Sequence, residues 1–265
     1  LPFATIEQKW GFAAFEFLLL AAIVVIFLTG KSRKWHERWF ETRRVAEYFR
    51  HAPLLLLLGA ARSTGRWPRG PKGNWPEWHV RHALRAIGLP RMQVTSTYLR
   101  AVLTLMRDHH VVPQRTYHLG KAARLKRTQH NLHRCSEMLF LSAVLSVAAY
   151  LLIEIGAKMA WVPHGLPHDV AKMFTFLGVL FPTLGGALAG INYFGDFERF
   201  AAISEITAQK LGDVETRIVL LLAAPDSDIT YARVSGLAHG IDDIVVDEIE
   251  NWQSVFGGKH ITVPV

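Results

Sequence analysis

Cysteine is almost absent: the 265 residues include one, Cys135. That excludes a disulfide scaffold, a cysteine-rich zinc site and a dithiol redox motif, and a lone thiol fits any redox compartment. A glycine-rich phosphate loop, a Ser/His/Asp arrangement and paired catalytic carboxylates are also missing, as are internal repeats and long low-complexity tracts. Acidic residues are scarce where basic ones abound. Residues 31–135 hold 22 of the 30 Lys+Arg but 5 of the 22 Asp+Glu, whereas residues 192–265 hold 5 basic and 12 acidic residues. The middle is near +17 and the tail near −7, within a chain of net charge +8 and pI about 9.8. Such a balance points to anionic partners, nucleic acid or phospholipid head groups.

Half of the residues are hydrophobic, and they are concentrated. Phe12 to Leu28 carries one charge, Glu16; Met138 to Ala157 carries one, Glu154; Met173 to Ile191 carries none. Each approaches the roughly 20 residues that a bilayer core of about 30 Å requires of a helix. Trp10, Trp35, Trp39, Trp161 and Tyr193 flank these runs, where amphipathic rings favour a membrane interface. The expected fold is an all-α integral membrane protein with three transmembrane helices, one plus a hairpin, and long cytoplasmic helical extensions.

Lys31, Arg33, Lys34 and Arg38 follow the first run, and Lys121, Arg124, Lys126, Arg127 and Arg134 precede the second, whereas loop 158–172 carries only Lys158 and Lys172. By the positive-inside rule, residues 33–135 and 193–265 are cytoplasmic in a multi-pass protein of the cell membrane. Residues 1–10 then lie outside, so a longer polypeptide with a preceding transmembrane helix is expected. Four segments follow: 1–32, an N-terminal transmembrane helix with outer loop; 33–135, basic and helical; 136–192, a transmembrane hairpin; and 193–265, acidic C-terminal helices. Attraction to anionic lipid at the cytoplasmic face accounts for the basic charge without nucleic acid.

Punctuation adds detail. Pro53 is expected to end a helix over 34–51, leaving Leu54 to Leu58 as a buried or membrane-surface turn, and Arg62 to Pro76 reads as a loop. Short helices are expected over 75–87 and 92–107. From Pro113 a helix runs through Arg134 into the second membrane segment. The third segment continues without a stop to Ala223, ended by Pro225. Asp226 or Ser227 can cap a last helix over about 228–256, closed by Gly257 and Gly258. Its acids, Asp242, Asp243, Asp247, Glu248 and Glu250, have the basic helix 113–134 or 34–51 as natural partner.

Arg43-Arg44-Val45-Ala46-Glu47-Tyr48-Phe49-Arg50, preceded by Trp35 and Trp39, resembles the R-x-x-A-E-x-x-R helix of the SLATT family (SMODS and SLOG-associating two-transmembrane effector domains) of bacterial nucleotide-signalling conflict systems. Gln114, Tyr117, His118 and Lys121 resemble its Q-x-x-Y-H-x-x-x-A/K helix, and the resemblance covers about residues 33–265. Residues 1–32 depart from the two-helix pattern, which suits a fused upstream membrane part. The resemblance implies a pore-forming or membrane-disrupting effector in bacterial defence, switched by a nucleotide-sensing domain outside this chain. Read from the residues alone, Arg43 and Arg50 stand at i,i+4 and i,i+3 spacing from Glu47, so one carboxylate can serve two guanidinium groups.

Ser142, Ser146, Tyr150 and Glu154 recur every four residues as one polar stripe on the second membrane helix. Polar atoms in hydrocarbon must face protein or water, so this stripe is the candidate pore lining, with Glu154 at the outer mouth. Gly178, Pro182, Gly186 and Gly190 form a small-residue stripe on the third helix, the candidate packing seam. Thirteen histidines supply the pairs His79/His82, His130/His133 and His109/His110, but no nearby acid completes a ligand set, so no metal, cofactor or enzymatic activity is expected. The expected function is an oligomeric channel or pore-forming effector gated through its cytoplasmic helices by an external sensor. The alternative is a non-conducting membrane anchor and oligomerisation module. Both require a homo-oligomer.

Overall fold

The computed structural model describes residues 6–62, 75–163 and 165–257, except the side chains of residues 6–9, 36 and 253–257. Among these residues every regular element is helical: α1 (Ile6–Ser32), α2 (Trp35–Leu57), α3 (Trp75–Ile87), α4 (Ser96–Met106), a π-helical turn (Arg107–Val111), α5 (Val112–Lys158), α6 (Leu166–Gly195), α7 (Phe197–Ala223), a 3₁₀ turn (Asp226–Asp228) and α8 (Tyr231–Gly257). Three helical stretches are long and apolar enough to cross a membrane: Trp10–Ser32, a part of Ser96–Lys158, and a part of Leu166–Ala223. The chain divides into two compact units, one of Leu1–Arg33 with Arg124–Glu198, the other of Lys34–Ala123 with Arg199–Val265.

In the second unit, apolar residues at helical spacing meet in one core. Leu99, Val102, Leu103 and Met106 of α4, Leu211, Val214, Ile218 and Leu221 of α7, and Val234, Ala238 and Ile241 of α8 are buried there with Leu54, Leu55 and Leu58. These leucines correct the expectation at Pro53. The helix does not end before the proline but carries it inside and continues to Leu57. An interior proline costs about 3 kcal/mol, whereas burying each large aliphatic side chain returns about 1.5–3 kcal/mol, and three leucines depend on the extra turn. Tyrosine hydroxyls then satisfy the last carbonyls: Tyr98 donates to Leu57 O at 2.6 Å and Tyr231 to Leu58 O at 2.9 Å.

Other boundaries shift for local reasons. The fourth helix begins at Ser96 rather than Met92, because the Thr95 side chain accepts from Tyr98 N and fixes the start. The expected break before Pro113 is bridged by the π-helical turn, which buries His110 and Val111. Pro113 then follows directly on the π turn, where the widened helical register takes up the bond that its missing N–H cannot make. Downstream, the helix leaving the third apolar run does stop, at Asp196, whose φ of 48° is left-handed. The Phe197 ring lies where a Cβ on residue 195 would be, so Gly195 makes room for the break. Pro225 ends α7, and Arg100 bonds its terminal carbonyls, Leu222 O at 2.6 Å and Ala224 O at 2.7 Å. The last helix starts at Tyr231, with Thr230 rather than Asp226 or Ser227 before it. Residues 63–74, most of the expected loop, and Gly258 lie outside the described residues.

In the first unit α5 and α6 run antiparallel and touch at matched heights. Ser136 Oγ donates to Gly185 O at 2.9 Å, a Cβ on Gly178 would lie 4.0 Å from Val147 Cγ2, and the rings of Tyr150 and Phe174 are 5.9 Å apart. Apart from Pro167 in the first turn of α6, the buried positions along these helices in this unit are small or polar, Ala143, Ser146, Gly156, Ala157 and Gly185, while Phe140, Leu141, Leu145, Leu152 and Val179 are exposed. The described side chains of α1 from Trp10 are almost all exposed, large apolar ones included.

Candidate functional site: a buried ionic cluster in the second unit

The residues of the two sequence motifs, 67 positions apart at their closest arginine-to-tyrosine spacing, converge. Arg43, Glu47 and Arg50 of α2 and Gln114, Tyr117 and His118 of α5 all line one narrow space, closed by Thr207 and Leu211 of α7 and Glu248 of α8. Glu47 is its first anchor. Arg50 Nη1 lies 2.6 Å from its carboxylate, and Arg43 Nη2 and His51 Nε2 each at 3.7 Å. Burial by itself would raise this carboxyl, but His51 and the two guanidinium groups outweigh it and hold Glu47 below the ordinary carboxylate range.

Glu248 is the second anchor. It faces His118 Nε2 at 3.5 Å and Lys121 Nζ at 3.7 Å. Burial pulls both His118 and Lys121 below their ordinary values, with Glu248 opposing. The ammonium of Lys121 also lies 4.3 Å from the Trp252 ring, which carries the Arg43 guanidinium at 5.1 Å and stacks on Phe200 at 4.5 Å. Trp252 therefore joins both anchors through two cations on its π system.

The π-helical turn completes the cluster. It sets His110 edge-on against His51, ring centroids 4.4 Å apart. Burial, with smaller contributions from the neighbouring His51 and Arg50, depresses His110 to about 3, so it is neutral at pH 7. Its Nε2 and the Nδ1 atoms of His51 and His118 are buried without a hydrogen-bond partner. This π turn is a feature that sequence reasoning missed; the Arg107–Asp108–His109–His110 run between two apolar helical stretches was the available signal.

A second buried pair joins the ends of the unit. Arg62 grips Asp242 through both guanidinium branches, with Nε donating to Oδ2 at 2.5 Å, and lies over the Tyr48 ring at 4.4 Å. Burial raises the Tyr48 hydroxyl above its ordinary value, so it stays protonated. Of the other acids of α8, Asp247 meets Lys210 at 2.8 Å on the surface. The helix α8 therefore finds its partners on α5, on α7 and just beyond α2. Among the described residues no three His, Cys, Asp or Glu side chains gather as metal ligands; His79 lies against Phe49 and Trp75, His82 against Trp78, and His133 faces Glu137.

The membrane-type stripes in the first unit are placed as follows. Ser146 is buried, and Ser142, Tyr150 and Glu154 are half-buried on the same side of α5; Tyr150 meets Phe174 of α6. The Ser146 hydroxyl has no hydrogen-bond partner. On α6 the closest approach is made by Gly185, whose Cβ would stand 3.4 Å from Ser136 O, together with Gly178; Pro182 and Gly186 are exposed, and a Cβ on Gly186 or Gly190 would meet nothing within 4 Å. One chain thus turns its serine stripe inward and leaves most of its small-residue stripe open.

The class defined by these observations is a protein that is helical throughout its regular elements among the described residues, three of its helices being long and apolar enough to cross a membrane. Compared with protein-family models, curated proteins and solved structures, the chain matches none.

Proposed function

We propose that the chain is a multi-pass membrane protein whose first unit forms an oligomeric channel or pore-forming effector of SLATT type, with residues 33–135 and 193–265 on the cytoplasmic side. The observation that carries this reading is the reversed polarity of the first unit, where large apolar side chains are exposed and small or polar ones buried. Its open Pro182–Gly186–Gly190 face suits close helix approach by another copy. In this assembly Ser142, Tyr150 and Glu154 border the water path and Glu154 sets cation preference at the outer mouth. The ionic cluster on α2, α5 and α8 is the gating element, acted on by a nucleotide-sensing domain. The basic residues Arg124, Lys126, Arg127 and Arg134 meet anionic head groups.

Current through planar bilayers containing the purified chain tests this reading. Glu154→Gln is expected to shift the reversal potential in asymmetric salt, and cysteine placed at Gly165 should label from outside only. Identical reversal potentials reject Glu154 as the selecting charge, and inside-only labelling inverts the topology. Burial of Ser146 within the single chain favours a second reading, a non-conducting anchor and oligomerisation module. Absence of current in an oligomer under activating conditions selects that one.

A further inference from the structure

The second unit contains a cavity of about 450 Å³, separate from the ionic cluster. That volume is in the range of small-molecule sites, about 300–1,000 Å³. Leu55 and Leu56 of α2 and Val80 and Leu84 of α3 wall it with apolar surface. The Arg62–Asp242 pair and Tyr48 line it as well, and the two charges of that pair are matched to each other. Two helices end at the cavity. Gly59 follows α2 with φ of 63° and Gly88 follows α3 with φ of 79°, and a Cβ on either would meet nothing within 4 Å. Left-handed glycine caps turn the chain away at both ends and keep the space open.

Among the described residues the charges around the cavity do not cancel, and one cation is in surplus. Asp242 is matched by Arg62, and Arg81 is held by Glu77 at 2.9 Å and donates to Arg62 O at 3.3 Å. Arg85, one turn further along α3, is exposed and also lines the cavity. An apolar hollow with one surplus cation at its edge matches one kind of molecule, an apolar chain ending in an anionic head. We infer that this cavity binds a single acyl chain with its anionic head on Arg85, whether from a free medium-chain acid or from an anionic phospholipid. This goes beyond the channel reading and does not depend on conduction.

The test uses the full chain in phosphatidylcholine nanodiscs, titrated with decanoate and, in parallel, 1-decanol. Wild type is expected to bind one decanoate per chain saturably and decanol more weakly. Leu56→Trp, which fills the hollow, and Arg85→Glu, which reverses the edge charge, should each weaken decanoate by about tenfold or more. Arg85→Glu should leave decanol binding unchanged. Circular dichroism checks that Leu56→Trp folds; if it does not, Arg85→Glu on the exposed rim decides. Mass spectrometry of lipid retained after detergent washing separates the sources. One anionic phospholipid per wild-type chain, displaced by decanoate, identifies the bilayer, and no retained lipid with saturable decanoate identifies the free acid. Decanoate uptake that is non-saturable, or equal in wild type and Arg85→Glu, overturns the proposal.

Discussion

The two units bury opposite kinds of side chain, a contrast that the membrane reading proposed above explains as one packing rule set against two exteriors. In the second, Leu103, Met106, Ile218 and Ile241 are fully buried and charged side chains cover much of the surface; the ions that are buried, such as Arg62 and Asp242, are paired. In the first, Leu152 and Phe140 are exposed while Ala143, Ser146 and Gly185 are buried. Where the exterior is water, apolar bulk gains by hiding. Where it is as apolar as the side chains themselves, bulk gains nothing by hiding, and close backbone approach with satisfied polar atoms holds helices together. On that reading the Ser136–Gly185 bond in the first unit and the Arg62–Asp242 bond in the second are answers to the same question under these two conditions.

The largest effect is expected from leaving a charge alone in the water-type core. Asp242→Leu strips Arg62 of its partner and should cost about 3–5 kcal/mol, because an uncompensated buried charge outweighs what the pair contributed; thermal denaturation followed by circular dichroism reads it. A loss under about 1 kcal/mol would mean that Arg62 reaches water.

Next comes overpacking of the α5–α6 seam in the first unit. Gly185→Leu must push into Ser136 and Leu139 and should cost about 1–3 kcal/mol, whereas Gly186→Leu, one residue on, meets nothing within 4 Å in a single chain. Gly186→Leu should instead change the oligomer seen by light scattering. Equal loss of stability in both would show that the two faces are alike.

Acid sharpens the contrast further. His110 is held near 3 in the folded chain against about 6.5 when unfolded, so between those values the unfolded chain binds more protons and stability falls as pH is lowered from about 6.5 towards 3. His118 is depressed in the same sense. Glu47, also lowered, retains its charge through the upper part of this window and adds its own loss only at the acid end. The slope reaches about 1.4 kcal/mol per pH unit for one such histidine, and His110→Phe should flatten it. An unchanged slope would place His110 in water. The smallest effect belongs to the surface pair Lys210–Asp247, where Lys210→Ala should cost less than about 1 kcal/mol and lose even that in high salt.

Much of the helical plan is legible in the residues, because an apolar run of about 20 residues has few alternatives and Pro225 stops a helix from sequence alone. What is hidden depends on distant partners. Pro53 reads as a stop until the core that receives Leu54, Leu55 and Leu58 is known. Arg62 and Asp242 stand 180 positions apart, so no local spacing announces them. The four-residue period places Ser142, Ser146, Tyr150 and Glu154 along one side of the helix, but a period does not say what that side meets; here Ser146 is buried and Tyr150 meets Phe174 of α6. The left-handed turn at Asp196 is carried by a Gly-Asp pair too short to outweigh the helical pattern on both sides.

Leu152 and Leu220 offer the most direct test, since they are the same residue type, 71% and 66% exposed, in the first and second unit. With Cys135 replaced by serine, a spin label is placed at Leu152→Cys or Leu220→Cys in the liposome-reconstituted chain. Collision rates with oxygen, which concentrates in lipid, and with a water-soluble nickel chelate are then compared. The account expects the label at 152 to meet oxygen and escape nickel, and the label at 220 to meet nickel. Nickel access at both positions would contradict it.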